Sequence, residues 1–508
     1  MASFRSSPGS EEILGNSDVT DLNPQGIMSH MKRSQRYSAR ISSAFGFALL
    51  SFFHESAIVA DQPCSLTDSR RTAAVPEFLL ASCQPVSLQA CTDDSCTDDS
   101  CTEDCGEIVS TPSFCESLMA RPTLGADWFG SRSHLEESGF NFSVSTTQYF
   151  QGVLDGGLNN TSQYGGRNDI FMNVQGEKAG LWKGFFITMH AESRYGDSVI
   201  QDTGSLLPAN LALALPQPSG TVTALTGVKF SQFLSEDFLV FAGKINTFDD
   251  FQQPLTGAGG TNGFMNTALM INPVVVRTVP YSTFGAGFAM LQNLEPVFSM
   301  AVFDTNDNPT NSGFDTFFDD GVSMLSSLNL PTDWMNLPGH QGLFGTYSTG
   351  TYTNLSPSVY FQPGEGVVVD SPPKEGSWSI GYSFDQAFYV APDDPKKRWG
   401  AFAMLGIADD NPSPVRWFAN AGLAGTSPVA GRSADTFGAG YYYTGVSGAL
   451  KDLAPVLLPL GDEQGFELYY NLAVTPWFHI TPDVQFVDPF RERVDESVMI
   501  GVRGKIDF

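Results

Sequence analysis

Between Gly184 and Tyr195, His190, Glu192 and Arg194 stand at every second position, with Thr188 before them. A spacing of two puts side chains on one face of a strand. An imidazole, a carboxylate and a guanidinium therefore share a wall opposite Ile187, Met189 and Ala191. Such a wall sets donors beside acceptors and can bracket a neutral, hydroxyl-rich solute. It can equally be a row of salt bridges that only holds the wall in shape. Lys244 and Asn246 stand in the same relation to Leu239, Phe241 and Ile245. Glu467, Asn471, Asp483, Gln485, Arg503 and Lys505 take the polar face of the last alternating stretches. With Asn246 set aside, these side chains are the candidate solute path.

Catalytic signatures do not accompany them. The six histidines are 30, 54, 134, 190, 340 and 479, and there is no Gly-x-Ser-x-Gly, His-Glu-x-x-His or phosphate loop. His190 beside Glu192 would suit a hydrolase only with a nucleophile that no motif supplies. The expectation is no enzyme and no cofactor. Asp304, Asn306, Asn308 and Asp315 have the chemistry of calcium ligands. Pro309, however, sits where a helix-loop-helix calcium loop needs glycine, and an Asx-rich turn accounts for the same residues.

The elements that carry these side chains are strands. Alternating stretches fall at 140–145, 168–175, 181–195, 226–233, 236–246, 284–292, 296–303, 357–361, 377–384, 400–407, 437–444, 466–475, 480–487 and 497–508, with Gly, Pro, Asn and Asp between them. In the last stretch Val498, Ile500, Val502, Ile506 and Phe508 share one face, and Arg503, Lys505 and Asp507 share the other. A dry soluble core would not accept full charges unpaired, whereas a membrane barrel turns its apolar face to lipid and its polar face to the lumen. Tyr469, Tyr470, Trp477, Phe478 and Phe486 are placed as an interfacial girdle. Charged residues are scarce at 16%, against about 25% in ordinary soluble proteins. No run of 18 apolar residues exists, which excludes a helical membrane protein. The fold class expected is all-β, a transmembrane antiparallel β-barrel of 16 strands with a short periplasmic segment before it. A soluble sandwich or barrel is the alternative. A net charge of −28 argues against nucleic acid as a partner. The stretch from Thr278 to Pro373 contains no Lys or Arg and is expected to include a large loop folded into the pore.

Residues 1–60 read as a leader and signal peptide: Lys32, Arg33, Arg36 and Arg40, a mostly apolar run from Ile41 to Phe53, then Ala57-Ile58-Val59-Ala60, with cleavage expected near Ala60. Residues 61–120 form a cysteine-rich acidic periplasmic segment, expected to be disordered, with a five-residue repeat from Cys91 to Cys105. All seven cysteines precede residue 116, and local disulfides fit the repeat better than a soft metal. Residues 121–508 are assigned to the barrel.

Several motifs across 124–508 carry a family resemblance. They are Asp127-Trp-Phe-Gly-Ser-Arg132 with Leu135-Glu-Glu-x-Gly139, Phe241-Ala-Gly-Lys-Ile-Asn246, and Asp304-Thr-Asn-Asp-Asn-Pro309 followed by Phe317-Phe-Asp-Asp-Gly321. Glu467-Leu-Tyr-Tyr-Asn471 and Thr475-Pro-Trp-Phe-His-Ile-Thr-Pro-Asp-Val-Gln-Phe486 complete the set. Together they resemble the carbohydrate-selective porins of the OprB type. The resemblance implies a sixteen-stranded outer-membrane channel for passive uptake of glucose and related sugars, lodged in outer-membrane lipid as a homotrimer or a monomer. A general or anion-type diffusion porin is the alternative reading, and an outer-membrane hydrolase a more distant one.

Overall fold

Two environments flank each strand, and their difference sets the architecture. A computed structural model of the chain describes residues 118–250, 253–362, 366–392, 394–452 and 459–508. The leader, the signal and the cysteine-rich repeat lie outside the described residues. Sixteen antiparallel strands close one barrel: β1 (Phe140–Asp155), β2 (Ser162–Gln175), β3 (Phe185–Gly196), β4 (Val222–Ser235), β5 (Phe238–Asn246), β6 (Ser282–Gln292), β7 (Glu295–Asp304), β8 (Val322–Trp334), β9 (Leu337–Tyr352), β10 (Lys374–Ala391), β11 (Asp394–Ala408), β12 (Val415–Thr426), β13 (Thr436–Val446), β14 (Glu463–Thr475), β15 (Phe478–Asp488) and β16 (Ser497–Asp507). Each strand pairs with its chain neighbours, and β16 returns to β1 with Arg503 opposite Tyr149. Burial is inverted relative to a soluble fold. Ile170, Ile380, Leu405, Leu468 and Ile500 are exposed, whereas Arg167, Glu192, Glu467 and Arg503 are buried, as a lipid-facing apolar wall requires.

All but three of the barrel strands coincide with alternating stretches of the sequence. The exceptions are β8, β9 and β12. On β12 the inward Phe418 is buried against other apolar groups while the outward Trp417 is exposed, so both faces are apolar and the period of two is lost. The stretch 357–361 belongs instead to a small hairpin, Ser358–Gln362 with Gly366–Asp370, outside the barrel sheet.

One end of the barrel has two-residue turns. At Asn293–Leu294 and Met335–Asn336 both residues have positive φ, which matches the twist of the flanking strands. The other end carries the long connections 197–221, 247–281, 305–321 and 353–373. Two of these fold inward. Phe264, Leu269, Met270 and Val274 of the 247–281 loop pack against Phe402, Met404, Phe418 and Tyr442 of the wall, so the apolar core lies inside the barrel. The inward loop therefore lies almost wholly before the Lys- and Arg-free stretch expected to supply it, sharing only residues 278–281 with it. Tyr469 is also not a girdle residue: it is 2% exposed and meets Phe264 edge-on at 4.9 Å.

The segment before β1 clasps the seam of the barrel. Asp127 Oδ1 accepts the Ser133 N–H at the start of the helix Ser131–Glu137. Arg132 stacks over Trp128 and donates to the carbonyls of Phe142 and Phe508. Gly139 ends this piece at φ +87, with a Cβ position only 2.7 Å from the Gln175 carbonyl, where any other residue would clash.

Candidate solute path

The rungs of β2 and β3 bring Arg167 beside Arg194, Asp169 beside Glu192 and Phe171 beside His190. Arg167 donates to Asp169 Oδ1 at 2.7 Å and also to Glu192 Oε1. His190 Nε2 lies 3.2 Å from Asp169 Oδ1, its ring stacks on Phe171 at 3.8 Å, and its Nδ1 lies 2.9 Å from Asp249 Oδ1. The Tyr281 hydroxyl donates to Glu192. Asp249 begins the inward 247–281 loop and Tyr281 ends it, so both ends are tethered to neighbouring inward positions of β3. Burial pushes the Asp249 carboxyl above its ordinary value, against the hydrogen bond from His190. Buried charges persist only when paired, and this network pairs each of them. The donor atoms of Asp169, His190 and Glu192 lie within 4.8 Å of one another, a spacing a metal could use. Arg167 and Asp249 already engage them, so the cluster reads as a closed ion network.

Other candidates fasten the loops. Arg194, 0% exposed, donates to the carbonyls of Leu213, Gly196, Gly220 and Pro218 and holds the 197–221 loop to the wall. Glu467 accepts the N–H groups of Met265 at 2.6 Å and Asn266 at 2.8 Å. Gln485 donates to Ala209 O and Asp483 Oδ1, and accepts from Asn266 Nδ2. Arg503 donates to Gly260 O at 2.9 Å and to Thr481 Oγ1.

The sequence pattern of the carbohydrate-selective porin, OprB family, matches residues 159–508. The chain belongs to the OprB family. Over 417 residues it is 23% identical to Porin B of Pseudomonas aeruginosa, covering 74% of this chain and 89% of that one. The high-pH structure of Pseudomonas putida OprB superposes with a TM-score of 0.66 at 19% identity, over 77% of this chain and 100% of that one. This OprB-family protein is accordingly a carbohydrate-selective porin of the outer membrane.

In this OprB-family barrel the remaining candidates separate. Asn471 Oδ1 lies 3.2 Å from His479 Nδ1, and Lys505 forms a 2.9 Å pair with Asp507 on the inner wall. Lys244 lies on the other side of the wall. Met189, Val228, Lys244 and Phe284 are successive partners across β3 to β6 and share the outward face. Leu239, Phe241 and Ile245 therefore turn inward, where Ile245 packs with Ala301 and Phe303. The sequence assignment of Lys244 is reversed because the inner face of β5 meets an apolar cluster and its outer face is covered by the 305–321 loop, whereas Asn246, at the strand end, does reach the inward network, donating to the Tyr281 hydroxyl at 3.1 Å and lying 3.3 Å from His190 Nδ1. The lysine that faces inward at this part of the wall is Lys229, 2.6 Å from Asp250. The calcium candidates form a turn: Asp304 accepts from Asn306 N, Asn306 Nδ2 and Phe318 N, Asn308 donates to Thr316 Oγ1, and Asp315 is exposed. Arg167, Asp169, Lys229, Asp249, Asp250 and Tyr281 were not singled out from sequence. Arg167 and Asp169 do alternate on β2 and carried a readable signal, whereas Asp249 and Tyr281 sit in a loop with no period.

Proposed function

We propose that the barrel passes neutral monosaccharides of the glucose class by passive diffusion beside the inward loops, without a catalytic step. The observation that carries this reading is the pairing of opposite charges on the inner wall. Arg167 pairs with Asp169 and Glu192, Lys229 with Asp250, His340 with Asp385 at 3.0 Å, and Lys505 with Asp507. A wall of one sign selects ions of the other sign, whereas paired groups offer donors and acceptors together without a strong net field. Hydroxyl pairs extend the same chemistry: Ser299 with Ser327, Ser323 with Ser348, and Thr346 with Ser379. Lys229 and Asp250 keep 21% and 52% of their side-chain surface exposed, and Lys505 and Asp507 keep 19% and 31%. These half-exposed pairs contact the sugar. The buried His190, Glu192, Arg194, Glu467, Gln485 and Arg503 position the loops that narrow its path.

Planar-bilayer conductance tests this. A small current that falls with added glucose, and less with sucrose, supports the reading. A large current indifferent to sugar would mean a general porin, a strongly anion-selective reversal potential would mean an anion porin, and lipid hydrolysis by the purified protein would mean an enzyme.

A further inference from the structure

On the outer face of the wall, between β4, β5, β6 and the 305–321 loop, lies a crevice of about 540 Å³. This falls within the roughly 300–1,000 Å³ typical of small-molecule sites. Leu225, Val228, Phe230, Phe284 and Phe314 line it, and Lys244 is its one cation. The strand pairing described above puts it on the lipid side, where Leu225 and Phe230 are each 44% exposed. Phe314 and Phe317 pack on Phe284 with ring centroids 4.8 and 5.2 Å apart and hold the loop over the crevice. Lys244 lies near the end of β5 that carries the long 247–281 loop, and long loops mark the external side of such barrels.

Lys244 is only 8% exposed. Its ammonium donates to Leu225 O at 3.0 Å and Asn311 O at 2.6 Å. An ammonium has three N–H groups, so one is left for a further acceptor. Asp307 acts on it through space, while its own Oδ1 accepts the Ser282 N–H. Asp307 offsets part of the cost of burying this cation at a lipid-facing wall, and the remaining N–H is open to a second anion. An apolar crevice opening to hydrocarbon takes an acyl chain.

We infer that this crevice binds one phosphorylated lipid of the outer leaflet, its phosphate on Lys244 and a chain along Phe230 and Phe284. The site is separate from the solute path and stands whichever solute the lumen passes. The test is native mass spectrometry of the full chain in mild detergent, incubated with a phosphatidic acid or with phosphatidylcholine. The wild type retains the phosphatidic acid through delipidation. Lys244→Met, which keeps the stem and removes the charge, retains about tenfold less, the scale of one charge-assisted hydrogen bond. Heat-modifiable migration on gels reports that the variant still folds. Phe314→Ala, at the exposed edge, weakens retention of long-chain more than short-chain lipid. Equal retention by wild type and Lys244→Met overturns the proposal, as does a wild type that does not prefer the phosphatidic acid. Loss of a homo-oligomer in either variant, with lipid retention unchanged, would instead make this face a contact between copies.

Discussion

Asp249 Oδ1 stands 2.9 Å from His190 Nδ1, and this contact fixes where the 247–281 loop leaves the wall and enters the barrel. The loop returns at Tyr281, whose hydroxyl meets Glu192, two residues along the same strand. One strand therefore grips both ends of the segment that folds into the lumen.

Replacing both grips, Asp249→Leu with Tyr281→Phe, should loosen the two ends of the loop, whose middle stays bonded to Glu467 and Arg503, without opening the barrel. Each bond to a charged group contributes about 1.5–3 kcal/mol. The expected outcome is a larger and noisier single-channel current with weaker block by glucose, and unchanged heat-modifiable migration. A quiet, wild-type current would show that the loop is held elsewhere.

Glu467→Leu removes the acceptor for two buried backbone N–H groups, those of Met265 and Asn266. Leaving each unsatisfied costs about 1–3 kcal/mol. The loop should then become accessible to chymotrypsin near Phe264, which is 0% exposed in the intact protein. The cleavage rate reads the effect directly.

The facing of the wall is open to chemical labelling, since residues 116–508 contain no cysteine. Lys229→Cys should react with a water-soluble reagent. Met189→Cys and Lys244→Cys should react only with a lipid-soluble one. Met189→Arg should destabilise the barrel by roughly 2–4 kcal/mol if the site lies near the bilayer midplane. The opposite labelling pattern would reverse the wall.

Asp435, in the turn between β12 and β13, gives a pH signature. Burial opposes its ionisation, but bonds from Arg432, the Tyr470 hydroxyl and the Ala473 N–H prevail and hold its carboxyl below the ordinary range. A depressed folded-state value adds stability above the unfolded value, and that stability is lost as pH falls through the folded one. The heat-modification midpoint of the wild type should therefore drop in acid more steeply than that of Asp435→Asn. Parallel profiles would count against this role.

Residues 1–60 should direct export and be removed near Ala60, and deletion of 61–120 should leave a heat-modifiable barrel. N-terminal sequencing of the membrane-extracted protein and gel migration of the deletion check the two statements separately.

Strand pattern was legible wherever the two faces of the wall meet different media. On β3, Met189 and His190 differ in polarity because one faces outward and the other the buried network. The pattern failed where the interior is apolar. Phe418 on β12 and Ile245 on β5 both pack inward, and Lys244 lies outward under a covering loop. A period of two names a face but not the medium behind it. The role of the inward side chains was less legible still. Arg194 bonds to the backbone of the loop that follows its own strand and Glu467 to loop backbone some two hundred residues earlier, and backbone groups carry no residue-type signal. The position of the inward loop follows from those bonds and from no pattern of its own.

The clasp of Arg132 on the Phe508 carbonyl joins positions 376 residues apart. The pairing of β1 with β16, from Ser145–Asp507 to Asp155–Val498, reaches almost as far along the chain, so closure is the most non-local strand pairing among the described residues and must wait until the last strand has arrived. Until then β1 holds an open, apolar-flanked edge, the state most prone to mispairing with another chain. The practical consequence is kinetic: shortening β16 should slow or abort maturation and divert the chain to aggregates well before it lowers the stability of any barrel that does close.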